Sequence, residues 1–250
     1  MVRVSDIYNE LNALAPFSEC LEEDSVGLLV GSMNAAADKV AVALDVTKAT
    51  VEGAINSGCT LLVTHHPAYF GELADQPDDS PAKLAMRAGL NIISAHTNLD
   101  IAKGGVNDAL CHVLGIKNAK ALCGFGDVPM ARVGELCFDN VNELVKYAKD
   151  KLGTGGAKFT YVDSKITTVA VCGGSGGDFI LPAVEAGAQA LITGESKHHL
   201  RLLAREKGIA LIELGHFCTE QPVKRVLAET IKQVGAEVTV LDEQDPAVYM

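Results

Sequence analysis

The chain is poor in positive charge: 21 Lys and Arg stand against 32 Asp and Glu, a formal net charge of −11, which argues against a nucleic-acid surface. It also lacks any CxxC pair. Its seven cysteines, Cys20, Cys59, Cys111, Cys123, Cys137, Cys172 and Cys218, are scattered singly and read as reduced, mostly buried thiols. No stretch approaches the ~18 consecutive apolar residues of a membrane span, and Asp6 and Glu10 stand where a signal peptide would need an apolar core. The expectation is therefore a cytoplasmic protein with no membrane partner. With 48% hydrophobic residues, 21% charged residues and 24 glycines, disorder and collagen-like structure are excluded as well. A chain of 250 residues can bury roughly 70–75% of the surface its unfolded form exposes, so it needs no disulfide or metal merely to fold.

What is present is a β-α-β rhythm. Ser5 opens an amphipathic helix with Ile7, Leu11 and Leu14 at helical spacing, closed by Pro16. The runs VGLLV (26–30) and VAVAL (40–44) follow, then a helix capped by Thr47 that carries Val51 and Ile55 and ends at Gly58, then TLLVT (60–64). Short continuous apolar runs of this kind read as buried strands. A turn-rich stretch from Pro67 to Pro81 leads into a short helix, the strand NIISA (91–95) and a helix over about 105–115. Residues 117–165 read as a linker and small α+β insert, with a strand near 130–136, a helix from Asn140 with Glu143 placed for a capping box, and the strand FTYV (159–162). From 166 the rhythm resumes with TTVAVC, a helix beginning near Gly177, ALIT (190–193), a helix around 197–206, ALIEL (210–214), a last helix (222–234) and EVTVL (237–241).

The two ends of the chain repeat one another. VAVALDVTKATVEGAINSGCTLLVTHHP (40–67) and VAVCGGSGGDFILPAVEAGAQALITGESKHH (169–199) both read strand, turn, helix, strand and His-His pair. Beyond them, LAMRAGLNIISAHTNLD (84–100) and LAREKGIALIELGHFCTE (203–220) each place a histidine four residues before a carboxylate. Six of the seven histidines, 65, 66, 96, 198, 199 and 216, fall in these frames, and only His112 stands outside. The expected fold is α/β, two pseudo-repeated halves (1–116 and 166–250) flanking the 117–165 insert, with a metal cleft between the halves. Ligands bind at the C-terminal ends of strands in open α/β sheets. Pro67 pushes His66 toward an extended conformation as the strand stops, and an irregular turn there could aim both imidazoles into one cavity. Mixed imidazole and carboxylate ligation suits Zn, Fe, Mn, Co or Ni. Two such ions ~3.5–4 Å apart would form a two-metal hydrolytic site.

At these residues the sequence resembles the dinuclear-metal-centre hexameric toroid family, the GTP cyclohydrolase type II homologues of the NGG-interacting-factor kind. VGLLVG (26–31), ALDVT (43–47), VTHHP (63–67), HTNLD (96–100), VAVCGGSGG (169–177), ITGESKHH (192–199) and GHFCTE (215–220) carry the resemblance, which covers nearly the whole chain. It implies that His65, His66, Asp100, His216 and Glu220 hold two divalent transition-metal ions per chain. It also implies a homo-hexamer enclosing a cavity, and hydrolysis of a small substrate, GTP ring opening among the reported reactions. The family's tryptophan-containing lead into VGL is here Glu23-Asp24-Ser25, with no Trp anywhere in the chain.

Several residues admit more than one role. Glu220 is expected near the start of the last helix, where the dipole favours a carboxylate. His96 and Glu195 are the candidates for moving a proton, His96 alternatively for orienting Asp100 or for ligating a metal directly. His198 and His199 are either a solvated helix start or substrate contacts, and Asp45 either touches the site or caps a helix. Gly173-Gly174-Ser175-Gly176-Gly177 matches G-x-S-x-G between a strand and a helix, and Glu213 and His216 follow in the order of a serine-hydrolase triad. The same glycines could instead approach a phosphate at a helix N-terminus or serve as a packing turn. The non-enzymatic alternative is a toroidal metal-binding or regulatory scaffold.

Overall fold

Apolar runs and capped helices alternate along the chain to build two sheets, each in its own unit. The structure is a computed structural model, and it describes residues 1–124 and 127–249. The first unit comprises Met1–Gly105 and Val223–Gln244, the second Val106–Pro222 and the chain from Asp245 on. These boundaries differ from those expected at 116 and 165.

The first unit opens with α1 (Val4–Leu14), whose buried face is Val4, Ile7 and Leu11. Then come β1 (Gly27–Val30), β2 (Lys39–Ala43), α2 (Lys48–Asn56), β3 (Leu61–Thr64), α3 (Pro81–Ala88), β4 (Asn91–Ser94) and the short α4 (Thr97–Ile101). Thr47 caps α2 by accepting from the Thr50 N–H, and Ser80 caps α3 with Pro81 in its first turn, each satisfying a donor the helix itself cannot. Every residue of β3 and β4 is buried, as strands covered on both faces require.

The second unit runs through α5 (Val106–Leu114), β5 (Lys117–Leu122), β6 (Ala131–Phe138), α6 (Val141–Leu152), β7 (Lys158–Phe159), β8 (Ile166–Cys172), α7 (Ile180–Glu185), β9 (Ala190–Thr193), α8 (His198–Lys207), β10 (Ala210–Glu213) and α9 (His216–Glu220). Its sheet has the order β5-β6-β8-β9-β10-β7. β8, β9 and β10 are parallel, while β5, β6 and β7 pair antiparallel. The stretch expected to be a linker and insert therefore belongs to this sheet. It begins one strand earlier than its sequence suggested, because β5 is almost wholly exposed and carries no apolar alternation. The strand expected at 159–162 shrinks to Lys158–Phe159.

The chain then returns to the first unit with α10 (Val223–Lys232) and β11 (Glu237–Val240). That sheet has the order β1-β4-β3-β2-β11, with β2, β3, β4 and β11 parallel and β1 antiparallel to β4. Leu62, Ile92, Val51, Ala54, Ala82 and Ala85 form part of its core. Leu191, Leu211, Ile180, Leu200 and Ala204 do so in the second unit. The returning segment is locked in place: the Glu243 carboxylate accepts from the Leu44 and Asp45 N–H groups at 2.7 and 3.0 Å and pairs with Lys224 at 3.0 Å, both side chains being buried.

Candidate metal centre

In the first unit the donors gather past the ends of β3 and β4. β3 stops at Thr64, whose hydroxyl donates to the His66 carbonyl at 2.8 Å and curls the chain. Adjacent side chains that a continuing strand would send to opposite faces thus stand side by side, with the His65 and His66 ring centroids 4.8 Å apart. His65 is fully buried, and its Nδ1 lies 2.9 Å from the Ala95 carbonyl oxygen. His66 Nδ1 lies 2.7 Å from Asp45 Oδ1. His96, the residue preceding α4, sets Nδ1 2.8 Å from Asp24 Oδ1. Each of the three rings offers a ligand atom within 4.8 Å of the others. Asp100, in α4, places Oδ1 3.8 Å from His65 Nε2.

Asp24 is the residue that sequence reasoning missed. It sits in the Glu23-Asp24-Ser25 lead, far from any metal motif in sequence, yet its side chain is 4% exposed and also accepts from the Thr97 N–H at 3.1 Å and the Thr97 hydroxyl. Burial pushes its carboxyl up, but the hydrogen bonds from His96 and Thr97 and the nearby imidazole outweigh that and hold it well below the usual carboxylate range. Asp45 contacts the site through His66, while Thr47 does the capping.

In the second unit the donors lie on α9. Gly215, at φ +92°, turns the chain into this helix. His216 and Glu220 are four residues apart and share a face, with His216 Nε2 3.0 Å from Glu220 Oε2. Glu220 thus closes a separate short helix instead of opening the last one. His216 Nδ1 lies 3.1 Å from Oε1 of Glu195, which is exposed.

The glycine-rich turn after β8 is the floor of this pair. A Cβ on Gly174 would fall 2.2 Å from Glu220 Oε1 and 3.1 Å from His216 Nε2, and one on Gly173 would fall 3.2 Å from Glu220 Cγ. Gly174 also donates its N–H to Thr219 Oγ1. Glycine is needed here for close approach to the donors. Ser175 is exposed, and the acid of the supposed triad is engaged elsewhere: Glu213 accepts from Arg201 Nη2 at 2.7 Å and from the Ser196 N–H at 2.8 Å. His216 turns its Nδ1 to Glu195 instead. His198 and His199 are exposed at the start of α8.

One rule unites the four imidazoles. His65, His66, His96 and His216 each give Nδ1 to an oxygen acceptor, Ala95 O, Asp45, Asp24 and Glu195 respectively. An oxygen acceptor draws the proton to Nδ1 and turns Nε2 toward the other side of the ring, where a ligand can be met. This is how metal-binding histidines are oriented. The His216–Glu220 and His65–Asp100 separations of 3.0 and 3.8 Å bracket the ~3.4 Å edge of a tetrahedron with ~2.1 Å bonds. The donor sets could hold a metal ion.

Fold and donors together define an α/β protein whose histidines and carboxylates could hold metal ions. The chain belongs to the Duf34/NIF3 (NGG1p interacting factor 3) family, whose sequence profile matches residues 2–246. It is 32% identical over 278 aligned residues to a Clostridium acetobutylicum protein named GTP cyclohydrolase 1 type 2 homolog, covering 98% of this chain and 96% of that one. A crystal structure of a hypothetical protein from Staphylococcus aureus superimposes with a TM-score of 0.89 at 25% identity, covering 99% of each chain. A Bacillus cereus protein related to NIF3 shares the fold, with a TM-score of 0.87 at 21% identity, over 100% of this chain and 99% of that one. Among the described residues no helix is long and apolar enough to cross a membrane.

Proposed function

We propose that the chain is a metal-dependent hydrolase that holds two divalent transition-metal ions through His65, His66, Asp100, His216 and Glu220. The observation that carries this reading is the uniform anchoring of Nδ1, which turns each Nε2 away from its anchor as the ring atom placed to ligate. Such ions would supply Lewis acidity and a water acidic enough to attack near neutral pH. The chain's own residues do the rest. Asp45 and the Ala95 carbonyl fix the orientation of the two adjacent imidazoles. Asp24 holds His96 so that Nε2 can take a proton and pass it on. Glu195, exposed beside His216, orients that ring and can exchange protons with solvent. The names of its relatives point to a nucleotide substrate and ring-opening hydrolysis of the GTP cyclohydrolase kind. A homo-hexamer in the cytoplasm, where its thiols stay reduced, completes the reading.

Elemental analysis of the protein purified without added metal, beside the His65→Ala/His216→Ala variant, tests it. About two transition-metal ions per chain, lost in the variant together with chelator-sensitive GTP hydrolysis, is the expected result. Metal content that is nil or unchanged in the variant overturns the reading, and metal binding with no turnover on any nucleotide leaves a scaffold in place of an enzyme.

A further inference from the structure

The turn after the His-His pair holds an aromatic ring out of the core. Phe70 is 60% exposed, matched among the described Phe and Tyr side chains only by Tyr161 at 59%. Its neighbours are seated inward. Ala68, Tyr69 and Leu73 pack against the core of the first unit, and the Tyr69 hydroxyl donates to the Leu29 carbonyl at 2.7 Å. The Phe70 carbonyl accepts from Gln76 Nε2 at 3.3 Å, as does the Glu72 carbonyl, so the turn is tied on both sides of the ring. The outward ring stands at the donor cluster: its centroid is 6.3 Å from that of His96, with the planes at 66°, an edge-to-face geometry. His96 in turn lies 5.7 Å from His66 and 5.3 Å from His65.

Leaving an apolar ring this exposed forgoes the stabilisation that burying it would give, and the backbone that carries it is held by Tyr69 on one side and by the Gln76 bonds to the Phe70 and Glu72 carbonyls on the other. A π-face held beside a cluster of metal-type donors offers what those donors lack, a surface that attracts a flat ring regardless of its hydrogen-bonding edge. We infer that Phe70 is the stacking platform of the site, and that the substrate carries a planar heteroaromatic ring, a nucleobase or an equivalent, which Phe70 holds over the imidazole cluster. This rests on the reading of the cluster as a metal centre. It assigns Phe70 a positioning role: the ring sets affinity for the planar group and leaves the donor set unaltered.

The absence of tryptophan from the chain makes the test direct. In Phe70→Trp the introduced indole is the sole tryptophan, and its fluorescence reports on whatever covers it. With metal content measured on the same samples, GTP and guanosine are expected to quench it saturably, and ribose 5-phosphate, which has no base, to leave it unchanged. Phe70→Ala should bind GTP roughly tenfold more weakly, as loss of one base–aromatic stack implies, with its metal content intact, and Phe70→Tyr should restore affinity. Metal-loaded Phe70→Trp that does not respond to either nucleoside overturns the inference alone, whereas loss of metal from the parent protein overturns the reading beneath it. Emission already shifted to the blue without ligand, together with a change of oligomeric state in Phe70→Asp, would show the ring covered by another copy of the chain and would also overturn it.

Discussion

The two units hold their donors in opposite ways. In the first, His65 is fully buried, the carboxylate that orients His96 is 4% exposed and bonded three times over, and Asp45, which holds His66, is 39% exposed. In the second, His216 is 38% exposed, and Glu195, the carboxylate that orients it, is 60% exposed. Buried anchors fix a ring because no water competes for Nδ1 and no rotamer is idle. Exposed anchors are screened and contribute little by themselves. The second unit compensates through its backbone, with the Gly173–Gly174 turn pressed against Glu220 and His216. The first set is therefore rigid through side-chain bonds, the second through the shape of a turn.

The largest test of this contrast removes one imidazole from each unit. His65→Ala is expected to lose metal and also to destabilise the metal-free protein by about 1–3 kcal/mol, since it strands the buried Ala95 carbonyl and leaves a hole. His216→Ala should lose metal with less than about 1 kcal/mol of change, as exposed positions generally show. Urea titration of chelator-treated samples reads the difference, and equal losses of stability would break the contrast. A smaller effect separates the anchors. Asp45→Asn, which releases the His66 ring from a carboxylate 39% exposed, should weaken metal binding by about 10–100-fold, the range for residues that orient a metal ligand, while Glu195→Gln, at 60% exposure, should cost less than about tenfold. Competition with a chromophoric chelator ranks the two, and the reverse order would mean that burial does not set anchoring strength.

The smallest effect concerns pH and belongs to the second unit. Burial raises the Glu213 carboxyl, but the hydrogen bonds from Arg201 and Ser196 outweigh it and hold it below the usual range. Its folded-state pKa is thus depressed. The stability it contributes is complete above the unfolded value, near ~4.3, and is lost as pH falls through the lower folded value. Arg201→Met should cost about 1–3 kcal/mol at neutral pH, and the gap to the parent should close on acidification. A gap that is constant with pH would show that Arg201 acts by packing alone.

Most of the architecture could be read from the sequence because parallel strands buried on both faces announce themselves as apolar runs: β2, β3, β4, β8, β9 and β10 all stand where VAVAL, TLLVT, NIISA, TTVAVC, ALIT and ALIEL placed them. The short helices α4 and α9 were hidden, since five residues are too few for helical periodicity to emerge, yet they carry Asp100 and both donors of the second unit. β5 was hidden for the opposite reason, having no buried face to write into its sequence. The candidate donors stand out in the sequence as His-His and H-x-x-x-D/E spacings. Their anchors do not. Asp24 reaches His96 across 72 positions of chain, and no local pattern encodes a contact made only by the fold. Asp45 and Glu195 lie within the repeated frames, but which nitrogen each one holds is a matter of geometry.

The return of the chain to its first sheet also governs the order in which that sheet can be finished. Glu243 binds the backbone at Leu44 from 199 residues away, and β11 pairs with β2 along its whole length. On a ribosome adding about 5–20 residues per second, the edge of β2 emerges roughly 10–40 seconds before the strand that covers it. The second unit's strands, by contrast, all come from one contiguous stretch and can close as soon as that stretch is out. Nascent molecules therefore pass through a stage with an open parallel edge, a feature prone to pair with a neighbour, and a chaperone that shields it would act on this sheet while β11 is still being made.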